Sequence, residues 1–140
     1  MGKGAKRDGS RRVLVDTTIL IDHLRKKAKR DSIFDKLLQR HDILISVMTV
    51  YEMEFGAAIV GRMSDLKEIL LLIEVIPISQ EIAEVAARLH ADLVKSGQEI
   101  GIKDIFISAT GLAHKLPVAT LNVRHFERVP GLFIIRPDNL

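Results

Sequence analysis

Short apolar runs alternate with longer amphipathic stretches along most of this chain. Val13-Leu14-Val15 stops at Asp16 and gives way, at Thr17-Thr18, to a helical spacing of Ile19, Leu20 and Leu24. Ser32-x-x-Asp35 resembles a capping box and predicts a helix that buries Ile33, Leu37 and Leu38. Ile43-Leu44-Ile45-Ser46 predicts the next strand, and Thr49 to Val60 a helix stopped by Gly61. Ser64 to Ile73 reads as another helix, and Glu74-Val75-Ile76 as a strand closed by Pro77. The clearest helical stripe is Ile82, Val85, Ala86, Leu89 and Leu93, capped by Ser79, with Glu81 and Glu84 early, Lys95 late and Gly97 beyond. Ile102 to His114 predicts one more helix, and Pro117–Thr120 and Phe133–Ile135 two more strands. Short apolar strands alternating with helices predict an α/β fold, a parallel sheet of four to five strands covered on both faces. In such sheets the working residues gather beyond the C-terminal strand ends.

Composition bounds the answer. The 140 residues, 47% hydrophobic and 28% charged, support one globular domain over residues 12–140, preceded by a flexible basic tail over residues 1–11. Residues 1–12 carry +4 against a net charge of +3, so the remainder carries −1 and the basic balance belongs to the tail. A second basic cluster, Arg25-Lys26-Lys27 with Lys29 and Arg30, follows the first predicted helix; both a solvated face and a phosphate-binding patch fit it. Cysteine is absent, which excludes disulfides, thiolate metal sites and cysteine nucleophiles. The apolar run Ile69-Leu70-Leu71-Leu72-Ile73 is far short of a membrane span, and the N-terminus lacks the apolar core of a signal peptide. A soluble, cytoplasmic protein with no membrane partner is expected.

Four residues stand where chemistry is expected. Asp16 follows the first strand, Glu52 lies one turn into the helix after the second, Asp104 opens the helix after Gly101, and Asn122 follows Val118-Ala119-Thr120. Each alone has an ordinary reading: a helix N-cap, a solvent-facing helix acid, a first-turn acid, a turn residue. Yet the three acids sit in strongly apolar sequence, where an unpaired carboxylate is costly and a cation relieves the crowding. Oxygen donors of this kind select magnesium or manganese rather than zinc, and the five histidines form no HxH or HExxH spacing. No glycine-rich phosphate loop and no GxSxG elbow occur. A receiver domain would place its acceptor aspartate after the third strand, where Pro77 and Ile78 stand instead.

Taken in order, Val15-Asp16-Thr17, Ser46-x-x-Thr49-x-x-Glu52 with Gly56, Gly101-x-x-Asp104, Thr120-x-Asn122-x-x-x-Phe126 and Val129-Pro130-Gly131-Leu132 resemble the PIN domain. The resemblance runs from about Val13 to Pro137 and is greatest to the VapC-type toxins of toxin–antitoxin pairs. It implies a three-layer α/β/α fold and an endoribonuclease dependent on one or two Mg²⁺ or Mn²⁺ ions. It also implies a VapB-type antitoxin partner and a homodimer. Carried over by position, Asp16, Glu52 and Asp104 are the acidic catalytic and metal-site residues. Asn122 fills a fourth position that is aspartate in many PIN domains and offers a neutral oxygen there. Thr17 and Ser46 become hydrogen-bonding supports, and Lys103 and Arg124 contacts to RNA phosphates.

Two other readings stay open: an RNA-processing PIN nuclease outside any toxin pair, and a non-cutting RNA-binding or scaffold module in which Asn122 marks lost catalysis. Aromatics for base stacking are scarce, with Phe55, Phe106 and Phe133 expected in the core and Phe34 and Phe126 unassigned. Recognition would then rest on backbone charge and RNA shape. Met48, Met53, Phe55 and Met63 gather soft apolar groups on or beside one helix; each fits the core, and together they also fit a groove for a partner helix.

Overall fold

The computed structural model describes residues 11–140; the basic tail expected over residues 1–11 lies, but for Arg11, outside them. In chain order the elements are β1 (Arg12–Val15), α1 (Thr17–Arg25), a 3-10 turn (Lys29–Asp31), α2 (Ile33–Leu38), β2 (Asp42–Ser46), α3 (Val47–Val60), α4 (Met63–Leu70), β3 (Glu74–Ile76), α5 (Gln80–Lys95), α6 (Ile102–His114), β4 (Val118–Ala119), α7 (Val123–Glu127), β5 (Ile134–Ile135) and a closing 3-10 turn (Pro137–Asn139). The strands form one five-stranded parallel sheet in the order β3-β2-β1-β4-β5. The chain winds outward from β1 through β2 to β3, then returns to place β4 on the other side of β1. The crevice between β1 and β4 is therefore the topological switch point of the sheet.

The pleat of β1 builds the layers. Val13 and Val15 point to one face, with Ile43, Ile45 and Ala119, and are covered by Ile19 and Leu20 of α1, Phe34 and Leu37 of α2, Met53 and Ala57 of α3, and Leu66 and Ile69 of α4. Leu14 points to the other, with Leu44, Ile76 and Val118, beneath Ile82, Ala86, Leu89 and Leu93 of α5 and Ile105 and Ala109 of α6. This is the expected α/β/α sandwich. Ser32, Ser46 and Ser79 cap α2, α3 and α5, each hydroxyl accepting a first-turn backbone N–H. Among the described residues no helix is long and apolar enough to cross a membrane.

Some expectations are corrected. Phe55 and Phe133 are not core but 60% and 73% exposed, and Phe106 is half-buried. On α3 the buried positions are Thr49, Met53 and Ala57; Phe55, two residues beyond Met53, falls on the opposite side. Phe133 precedes the two-residue edge strand β5 and stays on the surface. Phe34 and Phe126 are both fully buried, whereas Ile33 and Leu38 are only half-buried. Of the methionines on or beside α3, Met53 fills the core as read, and Met48 and Met63 are half-buried. The exposed apolar surface is instead a stripe at four-residue spacing, Val47, Tyr51, Phe55 and Ile59, with the Tyr51 and Phe55 rings stacked 6.2 Å apart.

Candidate active site

The C-terminal end of β1 delivers Asp16 into the switch-point crevice, its backbone N–H tied to the Ala119 carbonyl of β4 at 2.9 Å. Asp16 occupies the N-cap position of α1, but its side chain makes no capping bond. The carboxylate turns into the crevice, where Oδ2 accepts from the Thr18 hydroxyl at 2.7 Å and the Thr120 hydroxyl at 2.8 Å. Those hydroxyls accept in turn from the Leu121 and Asn122 backbone N–H groups. Asp16 is only 3% exposed. Burial pushes its carboxyl up from the ordinary range and the Asp104 charge adds to this; the threonine hydroxyls and the Thr17 backbone N–H pull it back.

The other acids arrive from opposite layers. Glu52, on α3, takes a 2.7 Å hydrogen bond on Oε1 from the Thr17 hydroxyl, and its Oε2 stands 3.2 Å from the Lys103 ammonium. Thr17 Oγ1 also lies 3.1 Å from Thr49 Oγ1. Having one proton, Thr17 gives it to the carboxylate and accepts from Thr49. Asp104, in the first turn of α6, meets the imidazole of His125 at 2.8 Å. Asn122 precedes α7, its side chain 2.9 Å from the same His125 Nδ1. One ring nitrogen thus faces partners of opposite demand: it donates to Asp104 or accepts from the Asn122 amide nitrogen.

The four expected residues therefore share one crevice, but not as a finished metal cage. Among the described residues no three acidic or histidine side chains are gathered so as to hold an ion. Glu52 is drawn toward Thr17 and Lys103, and Asp104 toward His125, which holds the carboxylates apart. Ser46 touches none of the acids; its hydroxyl caps α3 through the Met48 N–H. Arg124 is exposed and makes no ion pair among the described residues. His125, Thr18 and Thr120 are the site residues that reading the sequence missed. The spacing Asn122-x-x-His125, which puts both on one side of a short helix, was the available signal.

A family model described as "PIN domain" matches residues 13–132. Ribonuclease VapC1 of Methanocaldococcus jannaschii is 29% identical over 118 residues, spanning 84% of this chain and 81% of that protein. Ribonuclease VapC10 of Mycobacterium tuberculosis is 31% identical over 114 residues, 81% and 85% of the two chains. Among solved structures, a toxin–antitoxin complex from Klebsiella pneumoniae superposes with a TM-score of 0.72 at 28% identity, covering 89% of this chain and 97% of that one.

Proposed function

This chain belongs to the PIN-domain family, and from that premise we propose that it is a cytoplasmic, divalent-metal-dependent endoribonuclease, the toxin of a VapBC-type toxin–antitoxin pair. The observation that carries the reading is Asp16: a buried carboxylate at the switch point of the sheet, faced by a second carboxylate, Asp104. Two like charges in a desolvated crevice are stabilised by a hard cation, and the donors available, three carboxylates and the Asn122 amide oxygen, suit Mg²⁺ or Mn²⁺.

Asp16 and Asp104 would hold the principal ion, with Glu52 and Asn122 completing the oxygen donors. When bound, such an ion supplies Lewis acidity, lowering the pKa of a water and offsetting the phosphate's charge. The protein's own groups set the geometry. Thr18 and Thr120 fix Asp16 in one orientation, and Thr17 fixes Glu52. His125 Nδ1, when it carries the proton, holds Asp104, and Asn122 lies beside the same ring nitrogen. Lys103, 52% exposed beside Glu52, presents a cation where an RNA phosphate would enter.

The partner surfaces are on α3 as well. Its stripe of Val47, Tyr51, Phe55 and Ile59 suits a second copy of the chain. A cleft of about 280 Å³, lined by Leu24, Met53 and Val60 and reaching Glu52, suits an antitoxin helix.

Incubation of RNA with the purified chain and Mg²⁺ or Mn²⁺ tests the proposal. Cleavage should be abolished by a chelator and should fall at least about a hundredfold in Asp104→Asn, the scale of losing one preorganised electrostatic group. Cleavage that survives the chelator would refute it.

A further inference from the structure

The basic cluster after α1 is not used by the chemistry above, and its position in the fold gives it a function. One face of α1 presents Thr18, Ile21, Asp22 and Arg25 at the three-and-four spacing of a single helical side, and Lys26 follows in extended backbone at its end. With Leu121 and Asn122 this face lines a cleft of about 620 Å³. Thr18 and Asn122 place one end of the cleft at the active site, and Arg25 and Lys26 mark the other. Seven residues of helix separate Thr18 from Arg25, about 10 Å at 1.5 Å per residue.

We propose that this cleft is a binding track for the RNA strand on one side of the scissile phosphate, with Arg25 and Lys26 contacting backbone phosphates about three stacked nucleotides away, at about 3.4 Å each. The proposal rests on the ribonuclease reading above. The charges favour a polyanion. Five cations lie within residues 25–30, and Arg25, Lys27 and Arg30 make no ion pair among the described residues.

Lys29 is committed elsewhere, its ammonium donating to the His23 and Leu24 carbonyls at the end of α1. The acid in the cleft, Asp22, is engaged too: Oδ2 accepts the Ile33 N–H at 3.0 Å, and Oδ1 stands 3.8 Å from Lys26. Leu121, 42% exposed beside Asn122, offers an apolar surface on which a base can rest. A single strand suits such a groove, because cations follow its backbone while apolar side chains meet its bases.

Arg25→Gln/Lys26→Gln in the full chain tests the track, with Arg88→Gln, on the exposed side of α5, as the control. Binding of a short fluorescent single-stranded RNA is followed in chelator as KCl rises from about 50 to about 200 mM. The slope of log K against log[KCl] should fall by about 1.4, about 0.7 for each phosphate left without its cation, and stay unchanged in the control. In cleavage assays with Mg²⁺, KM should rise at least about tenfold while kcat holds, as for a loss of uniform binding. An unchanged slope and KM in the double variant would overturn the track while Asp104→Asn still reported on the nuclease. Displacement of the RNA by polyglutamate of equal charge would also overturn it, assigning the cleft to an acidic protein partner. A wild type that binds with the full slope but never cuts would support the track and sink the nuclease reading.

Discussion

Thr120→Val isolates the support behind the central acid. Thr120 is fully buried, and valine keeps its shape, so no cavity accompanies the loss of the hydroxyl. Two hydrogen bonds disappear: the one given to Asp16 Oδ2 at 2.8 Å and the one accepted from the Asn122 N–H at 2.8 Å. A bond to an ionised group is worth about 1.5–3 kcal/mol and an ordinary one about 1, so the loss should total about 3 kcal/mol. For a chain of this length that is a fall of roughly 10 °C in Tm.

The penalty should depend on pH, in a direction the carboxylate dictates. Folded Asp16 already titrates above its reference value of 3.8, and the Thr120 bond is one of the interactions holding it down. Removing that bond raises the folded value further and leaves the unfolded value where it is. Below both values Asp16 is protonated in each state and only the neutral part of the bond is lost. As pH rises through the folded value, ionised Asp16 costs the variant more than the wild type. Urea unfolding in chelator should therefore show a stability gap that is smallest in acid and widens as pH rises through the raised titration of Asp16 toward neutral. A constant gap, one larger at acid pH, or an unchanged midpoint would refute the assignment of Thr120 as the donor that steadies the charge.

Gly111→Ala should cost about 1–3 kcal/mol in urea unfolding, because the added methyl would meet Val118 Cγ2 at 3.0 Å, Leu132 Cδ1 at 3.1 Å and the Leu116 carbonyl at 3.2 Å, where α6 crosses β4. Tyr51→Ser/Phe55→Ser should leave unfolding of the dilute, monomeric chain within about 0.5 kcal/mol, since both rings lie on exposed surface. The same pair should weaken self-association at least about tenfold in sedimentation, as loss of aromatic anchors does.

What the sequence disclosed and withheld follows from how local each signal is. The serine caps at Ser32 and Ser79 were readable because a cap is a contact within one turn. That the sheet is covered on both faces was readable from its short, wholly apolar strands, whereas which residue turns to which layer came only with the structure. The outward face of α3 was not, because that helix is apolar all round, and only packing on α1, α4 and the sheet decides that Met53 turns in and Phe55 out. Five-residue α7 is too short to show a period, so the Asn122-x-x-His125 spacing alone pointed to His125 before α6 brought Asp104 against it. That the three acids would lie around the switch point was legible through strand ends and spacing. Their present partners, Lys103 and His125, depend on side-chain reach across separate elements.

The three carboxylates have separate mounts. Asp16 sits on the spine of the sheet, Glu52 on a helix of one outer layer and Asp104 on a helix of the other. The crevice behaves like a three-legged instrument whose feet stand on different slabs, so its focus depends on the slabs keeping their spacing. Partial loosening of either slab moves one foot while the strands stay paired, a local opening of the kind folded proteins undergo well below their melting point. On the proposed nuclease reading, RNA cleavage is thus a finer gauge of how the two helical layers seat on the sheet than any spectrum of the backbone, and on gentle warming it should fade first.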